Sequence, residues 1–448
     1  MLTYPGTPIR RIRLTDSTEK RPKLLTLLLV LLLMAGCRDN TAPATTPEQP
    51  LPNGISSSRP PLEGDKSAPQ QPSDGVESLV LWVPPFFSID SASRADAVLA
   101  ATLAEFAPSP AGSSVTLIPK AERGPAGMLS YLLTTSQAAS KLLPDIVLLN
   151  SFDLPRVADA GLLTPLTQEE FALFSGIPLP ILQTAQWQGK LYGLPYVANL
   201  DHLVYQTDRL PSPPATWDTF LAQDKRLLFA GSSINDHSIN FVWMLYLIGG
   251  GQIDEDGYLI DPQIAQAALE FLDQSRNQGL IPDSALTLSS PQAVWTFFVN
   301  GNAEMAVVPA DLFYNQQSEA GKVGFASLPT LDGKARSVVT SWSFVIITQE
   351  AERRQRALRL LQQLFAPQIQ GEWSRFARQL PTQAAAFGYW DADDPYTRFA
   401  RDMLLQGVAL PNLHTVDAMA PTMQQAQREI LAGEKSPQQV LEILPLRP

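Results

Sequence analysis

The strongest constraint on this chain is a succession of short apolar runs separated by segments of helical periodicity. Ser78–Val83 (SLVLWV), Ser114–Ile118 and Asp145–Leu149 (DIVLL) read as strands. The last is a continuous apolar run, the mark of a strand buried on both faces. Ala92–Phe106 carries helical periodicity and stops before Pro108, and Gly127–Ser140 is a second helical stretch. Strands alternating with helices predict a parallel α/β sheet. Ligands of such sheets sit beyond the carboxyl ends of the strands, which places Pro84–Phe87 and Asn150–Phe152 at a binding rim.

The first 77 residues do not share this pattern. Arg10, Arg11, Arg13, Lys20, Arg21 and Lys23 precede an apolar run, Leu24–Met34, broken by Thr26. That core is too short for a bilayer of ~30 Å, which takes about 20 residues of helix, so 1–36 reads as a cleavable signal peptide. Leu33-Met34-Ala35-Gly36-Cys37 resembles the lipobox of bacterial lipoproteins, which implies cleavage before Cys37 and acylation of that residue, the only cysteine in the chain. Residues 38–77 are rich in Pro, Ser, Thr, Gln and Gly, with too few apolar groups to offset the entropy of ordering. The stretch 37–77 is therefore predicted to be a lipidated spacer.

The chain has 33 Lys+Arg against 44 Asp+Glu, a net charge of −11. Removing 1–36 takes six basic and two acidic residues and leaves 27 against 42, or −15. An acidic body repels phosphates, so no nucleic-acid partner is expected. One Cys excludes an intrachain disulfide, and His202, His237 and His414 are too far apart for a local motif such as HExxH. No metal or cofactor is expected. No GxSxG elbow occurs.

A set of segments in fixed order is more specific. Residues 144–166 (PDIVLLNSFDLPRVADAGLLTPL) are followed by 187–196 (WQGKLYGLPY), then 208–220 (DRLPSPPATWDTF). Next come 241–257 (FVWMLYLIGGGQIDEDG), 294–308 (VWTFFVNGNAEMAVV), 324–330 (GFASLPT) and 339–348 (VTSWSFVIIT). In this order the chain resembles family 1 of the extracellular solute-binding proteins of ABC importers, the maltose-binding-like group. The resemblance implies a type II-like periplasmic-binding-protein fold, two α/β lobes joined by hinge crossovers. It places the crossovers near Pro195–Asp201, Phe325–Thr330 and Gly407–Asn412. The N-lobe would comprise 78–197 and 328–406, the C-lobe 198–327 and 407–448. A monomer anchored by lipid at the periplasmic or outer face of a membrane would capture a small solute, a sugar or polyol by preference. It would hand the solute to the permease subunits.

Ligand-binding positions follow motif by motif. From the N-lobe come Phe86 and Phe87, Asn150 and Ser151, Trp342, and Tyr205 beside the hinge. From the C-lobe come Asp236, His237 and Asn240, Asp311 with Tyr314, and His414. Aromatic faces suit the C–H face of a sugar, and Asn, Asp and His suit its hydroxyls. Adjacent residues of a strand point to opposite faces, so only one of Phe86 and Phe87 can face a cleft. Three positions where the maltose-binding group carries an aromatic platform hold Asn150, Asp311 and Ala420 here, which argues against a long maltodextrin. The matched loops hold no Arg or Lys, which favours a neutral or cationic ligand. Trp82, Trp243 and Trp295 are assigned to the core, and Asp254–Gly257 to a turn rather than a calcium loop. A sensing lipoprotein for a membrane receptor and, more remotely, a glycoside-acting enzyme with Asp236 and Asp311 are the alternatives.

Overall fold

The computed structural model describes residues 78–90, 92–106, 114–232, 240–254, 257–317, 321–410 and 413–447. The segments expected to be signal peptide and spacer, with Cys37, lie outside them, as do Asp236 and His237. Twelve strands organise the described residues: β1 Leu79–Val83, β2 Val115–Pro119, β3 Ile146–Asn150, β4 Gln186–Trp187, β5 Lys190–Leu191 and β6 Gly193–Gln206. Then follow β7 Leu227–Leu228, β8 Met305–Pro309, β9 Val323–Ala326, β10 Ser337–Ile346, β11 Leu380–Pro381 and β12 Gly407–Ala409.

The spatial order is β2-β1-β3-β10-β6-β8-β7, with β11 and β9 also on β6, and β12 on β10. β1 runs parallel to β2 and β3, as the strand–helix alternation requires. β7 and β8, and β10 and β12, are parallel too, but the sheet as a whole is not the parallel one expected: β10 is antiparallel to both β3 and β6. The sheet is mixed because β10 and β6 are crossing strands. β6 runs out of the first half and β10 comes back into it, neither through the helical connection that makes neighbours parallel. The 14-residue β6 joins the two halves. Up to Leu200 it pairs with β10 and β11, and from Asp201 it pairs with β8 and β9.

Two large cores fill the described residues, the first extending across both halves from Leu81 and Leu148 to Trp295 and Phe313. On one side Phe87, Tyr196, Phe344, Phe365 and Trp373 interlock, with ring centroids 4.8–6.4 Å apart. On the other, the helix Phe241–Ile248 is buried at every position, so it can lie only in an interior. It packs against Pro262–Asn277, whose apolar face carries Leu269 and Leu272. Trp82, Trp243 and Trp295 are buried. Several helices open on Pro, at Pro262, Pro291, Pro367, Pro395 and Pro437. There the missing N–H would have had no helical partner, and φ is already fitted to the helix. Gly161, past the helix Leu154–Asp159, takes φ +71°, a conformation that favours glycine. Among the described residues no helix is long and apolar enough to cross a membrane.

Candidate functional site

A cavity of about 370 Å³ lies where the two halves meet. Its lining follows strand ends, as the α/β rule anticipates: Asn150 closes β3, Pro309 closes β8, and Glu122 and Arg123 follow β2. The floor is the crossing strand. Asn199 and Asp201 are two apart on β6 and so share a face. Thr340 and Trp342 do the same on β10, where a register irregularity follows Trp342. Ser341 and Ser343 turn to the opposite face, where Ser341 Oγ lies 2.6 Å from Thr184 Oγ and 3.1 Å from Ser343 Oγ.

Aromatic walls flank the floor. Trp342 is half-buried and held edge-on by Phe86, with centroids 5.4 Å apart at 80°. Across the cavity Phe229 and Phe241 stack at 4.0 Å and 23°. Phe152 also lines the space, although its packing belongs to the core around Phe241–Ile248.

Polar groups are fixed from beneath. Asn150 Oδ1 accepts from the Phe152 N–H at 3.0 Å. Asn199 Oδ1 accepts from Leu200 at 3.0 Å and from the Asp311 N–H at 3.3 Å, tying β6 to the start of the helix Ala310–Gln316. Asp311 Oδ1 accepts from the Leu312 N–H at 2.8 Å. Burial, reinforced by the Asp311 charge, pushes the Asp201 carboxyl up to about 7. His202, the next residue, faces away. It is fully buried, its Nε2 3.1 Å from the Tyr396 hydroxyl, and burial pushes its pKa down to about 4, so it is neutral.

Of the candidates named from sequence, the cavity brings together Asn150, Asp311 and Trp342. Phe86 supports Trp342 from behind, and Phe87 lies in the core with no exposure. Ser151 lines a separate groove of about 430 Å³, and its Oγ accepts from the Ser341 N–H at 3.3 Å. Asn240 caps the helix Phe241–Ile248, accepting from Val242 at 2.8 Å and donating to Gln424 at 2.9 Å. Its polar groups are therefore spent on structure. Tyr314 stacks on Trp390 at 5.1 Å and on Tyr396 at 5.8 Å, away from the cavity lining. Tyr205 covers Gly324, where a Cβ would stand 2.4 Å from its ring. His414 lies on the helix Leu413–Ala432, and its side chain is outside the described residues.

Sequence reasoning missed Asn199, Asp201 and the Phe229–Phe241 pair, while Phe152 falls within the rim segment it named. A signal for the first two was present: both interrupt the apolar run LPYVANLDHLVY at strand spacing.

A family model described as bacterial extracellular solute-binding protein matches residues 131–394, more than half of the chain. The chain belongs to the bacterial extracellular solute-binding protein family. Solved structures of binding proteins share its fold. The maltose-bound MalE3 of T. maritima superposes with a TM-score of 0.63 at 18% identity, covering 82% of this chain and 98% of that one. The cyclic alpha-maltosyl-1,6-maltose binding protein of Arthrobacter globiformis gives 0.68 at 17%, covering 83% and 97%. The sugar-binding MalE of Xanthomonas citri gives 0.66 at 20%, covering 82% and 95%. The two sheets sharing β6 are thus the two lobes of a periplasmic-binding-protein fold. The cavity between them lies where a member of this solute-binding family can enclose a small molecule. Among the described residues no group of His, Cys, Asp and Glu could hold a metal ion.

Proposed function

We propose that this protein is the lipid-anchored substrate-binding component of an ABC importer. It captures a small hydroxylated solute between its lobes and presents the closed form to a permease. The observation that carries this reading is the cavity itself. Asn150, Thr340 and Trp342 reach it from one sheet, and Asp311, Phe229 and Phe241 from the other half. A molecule touching both sets favours closure by the contacts it gains there. Pocket aromatics with a few fixed polar groups are the general form of a small-molecule site, and the relatives of this fold named above bind sugars.

We assign residues 78–197 and 328–406 to the N-lobe and 198–327 and 407–448 to the C-lobe. Cys37 is the anchor, and the Pro-rich spacer lets the body stand off the membrane. The protein acts as a monomer and performs no bond-making step.

The test is native mass spectrometry of the protein against monosaccharides, oligosaccharides, polyols and amino compounds. One solute bound unchanged at one per chain is expected. Release of a chemically altered product would replace the importer reading with an enzymatic one.

A further inference from the structure

We propose that the solute captured in the cleft is a cation, a protonated amine seated between the carboxylates of Asp201 and Asp311. This rests on the solute-binding reading and specifies its ligand. The two acids reach the cavity from adjoining elements. Asp201 stands opposite Pro309 in the β6–β8 ladder, and Asp311 lies two residues beyond Pro309. Asp311 is anchored at its N–H by Asn199 and at Oδ1 by the Leu312 N–H. Among the described residues no donor reaches the carboxylate of Asp201.

The charged groups lining the cavity are Glu122, Arg123, Asp201 and Asp311. Glu122 and Arg123 are both exposed, on the loop after β2, and are of opposite sign. The floor is left with two negative groups and no positive one. His202 on the same strand points into the core and is neutral, so it supplies no counter-charge.

Lobe closure expels water, and in a dry site two like charges repel far more strongly than in solution. A neutral solute would leave that repulsion in place. An ammonium removes it and gains two charge-assisted hydrogen bonds. The faces of Trp342 and Phe229 are electron-rich surfaces for the same charge. Asn150 and Thr340 remain for hydroxyl groups, so the chemistry as a whole fits a hydroxylated amine such as an amino sugar. Burial first, and the Asp311 charge second, raise the affinity of Asp201 for a proton, and the Asp311 part acts on any cation seated there.

The experiment exposes the purified full chain to a small-molecule extract of yeast. Bound solutes are then recovered and identified by mass spectrometry, with D-glucosamine, D-glucose and D-glucuronate as added probes. The expected result is retention of a basic amine. Retention should fall at least ~tenfold in Asp201→Asn/Asp311→Asn, and, for an amine that stays protonated throughout, by about tenfold in the wild type from pH 8 to pH 6 as Asp201 takes up its proton. Relief of repulsion should leave the double variant melting at or above the wild type. Should it fail to fold, the wild-type pH profile decides alone. A retained neutral or acidic solute, or retention of an amine that is indifferent to both pH and the variant, overturns the cation proposal and leaves solute binding standing. Retention of nothing at all overturns both.

Discussion

Asp201 and His202 are neighbours on the crossing strand, and burial drives their protons in opposite directions. The folded state holds His202 neutral, its pKa pushed down from 6.5 to about 4 by burial, against a contact with the Leu203 carbonyl that pushes it up. Below 6.5 the unfolded chain gains a proton that the folded one refuses. Stability is therefore lost as pH falls, by about 2 kcal/mol between pH 7 and pH 5. Asp201 does the reverse. Its pKa rises from 3.8 to about 7 through burial and the Asp311 charge. The folded state takes up a proton that the unfolded chain does not, a stabilisation present at low pH and lost as pH rises through 7. Over the same interval this is worth about 2 kcal/mol of the opposite sign. The pair should therefore be nearly level, and each substitution should expose the other residue. Relative to wild type, His202→Gln should gain about 2 kcal/mol on going from pH 7 to pH 5, and Asp201→Asn should lose as much. Urea unfolding followed by tryptophan fluorescence, repeated across that range, reads both slopes. If the His202→Gln and wild-type curves run parallel, the burial argument for β6 is wrong.

Other consequences are more local. Arg353 clamps Asp145 through Nε at 2.7 Å and Nη2 at 2.6 Å, and Asp145 also accepts from the Val80 N–H. Arg353→Met should cost about 3–5 kcal/mol by stranding a buried carboxylate, while Arg353→Met/Asp145→Asn should cost less than the single change. Equal losses in denaturant titrations would contradict this. A Cβ at Gly371 would stand 2.3 Å from the Ala386 carbonyl oxygen, a backbone atom that cannot swing aside, whereas one at Gly388 meets nothing within 4 Å. Gly371→Ala should lose about 1–3 kcal/mol despite better helix propensity, and Gly388→Ala should stay within about 0.5 kcal/mol. Glu170 is paired with Arg354 at 2.6 and 2.9 Å, and those bonds hold its carboxyl below the usual range. That stabilisation exists above the ordinary glutamate pKa and is lost on acidification, so melting of Arg354→Gln should fall less steeply below about pH 5. Trp342→Ala should weaken solute binding by about tenfold in calorimetry, since the ring is one wall of the cavity.

The elements were legible because each has a local cause. The buried run Asp145–Leu149, the Pro-opened helices and Gly161 announce themselves within a few residues. The sense of β10 was not legible, because it depends on which strand a chain meets after crossing between lobes, not on its own pattern. The site divides along the same line. Asn150, Asp311 and Trp342 follow or sit in strands recognisable on their own, so position alone finds them. Phe87 and Asn240 were equally well placed in sequence but serve the core and a helix cap. Nothing in a linear pattern separates a ring facing a cavity from one facing its neighbours. Asp201 was the more readable miss, since an acid in the middle of an apolar strand is costly to bury unless something meets it.

The crossing strands explain why polar residues collect there. β6 and β10 are the only long strands in the described residues, and each turns one face to the interlobe cavity while the other, with Ala198, His202, Ser341 and Ser343, is buried. One face holds Asn199, Asp201, Thr340 and Trp342 over the 370 Å³ cavity. A separate groove of about 430 Å³ runs between Gln183, Gln186 and Gln188 on one side and Leu247 and Gln252 on the other, with Val408–Leu410 beside them. Phe152 borders both. In the cavity both the burial of Asp201 and the nearby charge of Asp311 disfavour the ionised form of Asp201. Whatever neutralises that pair should close the protein.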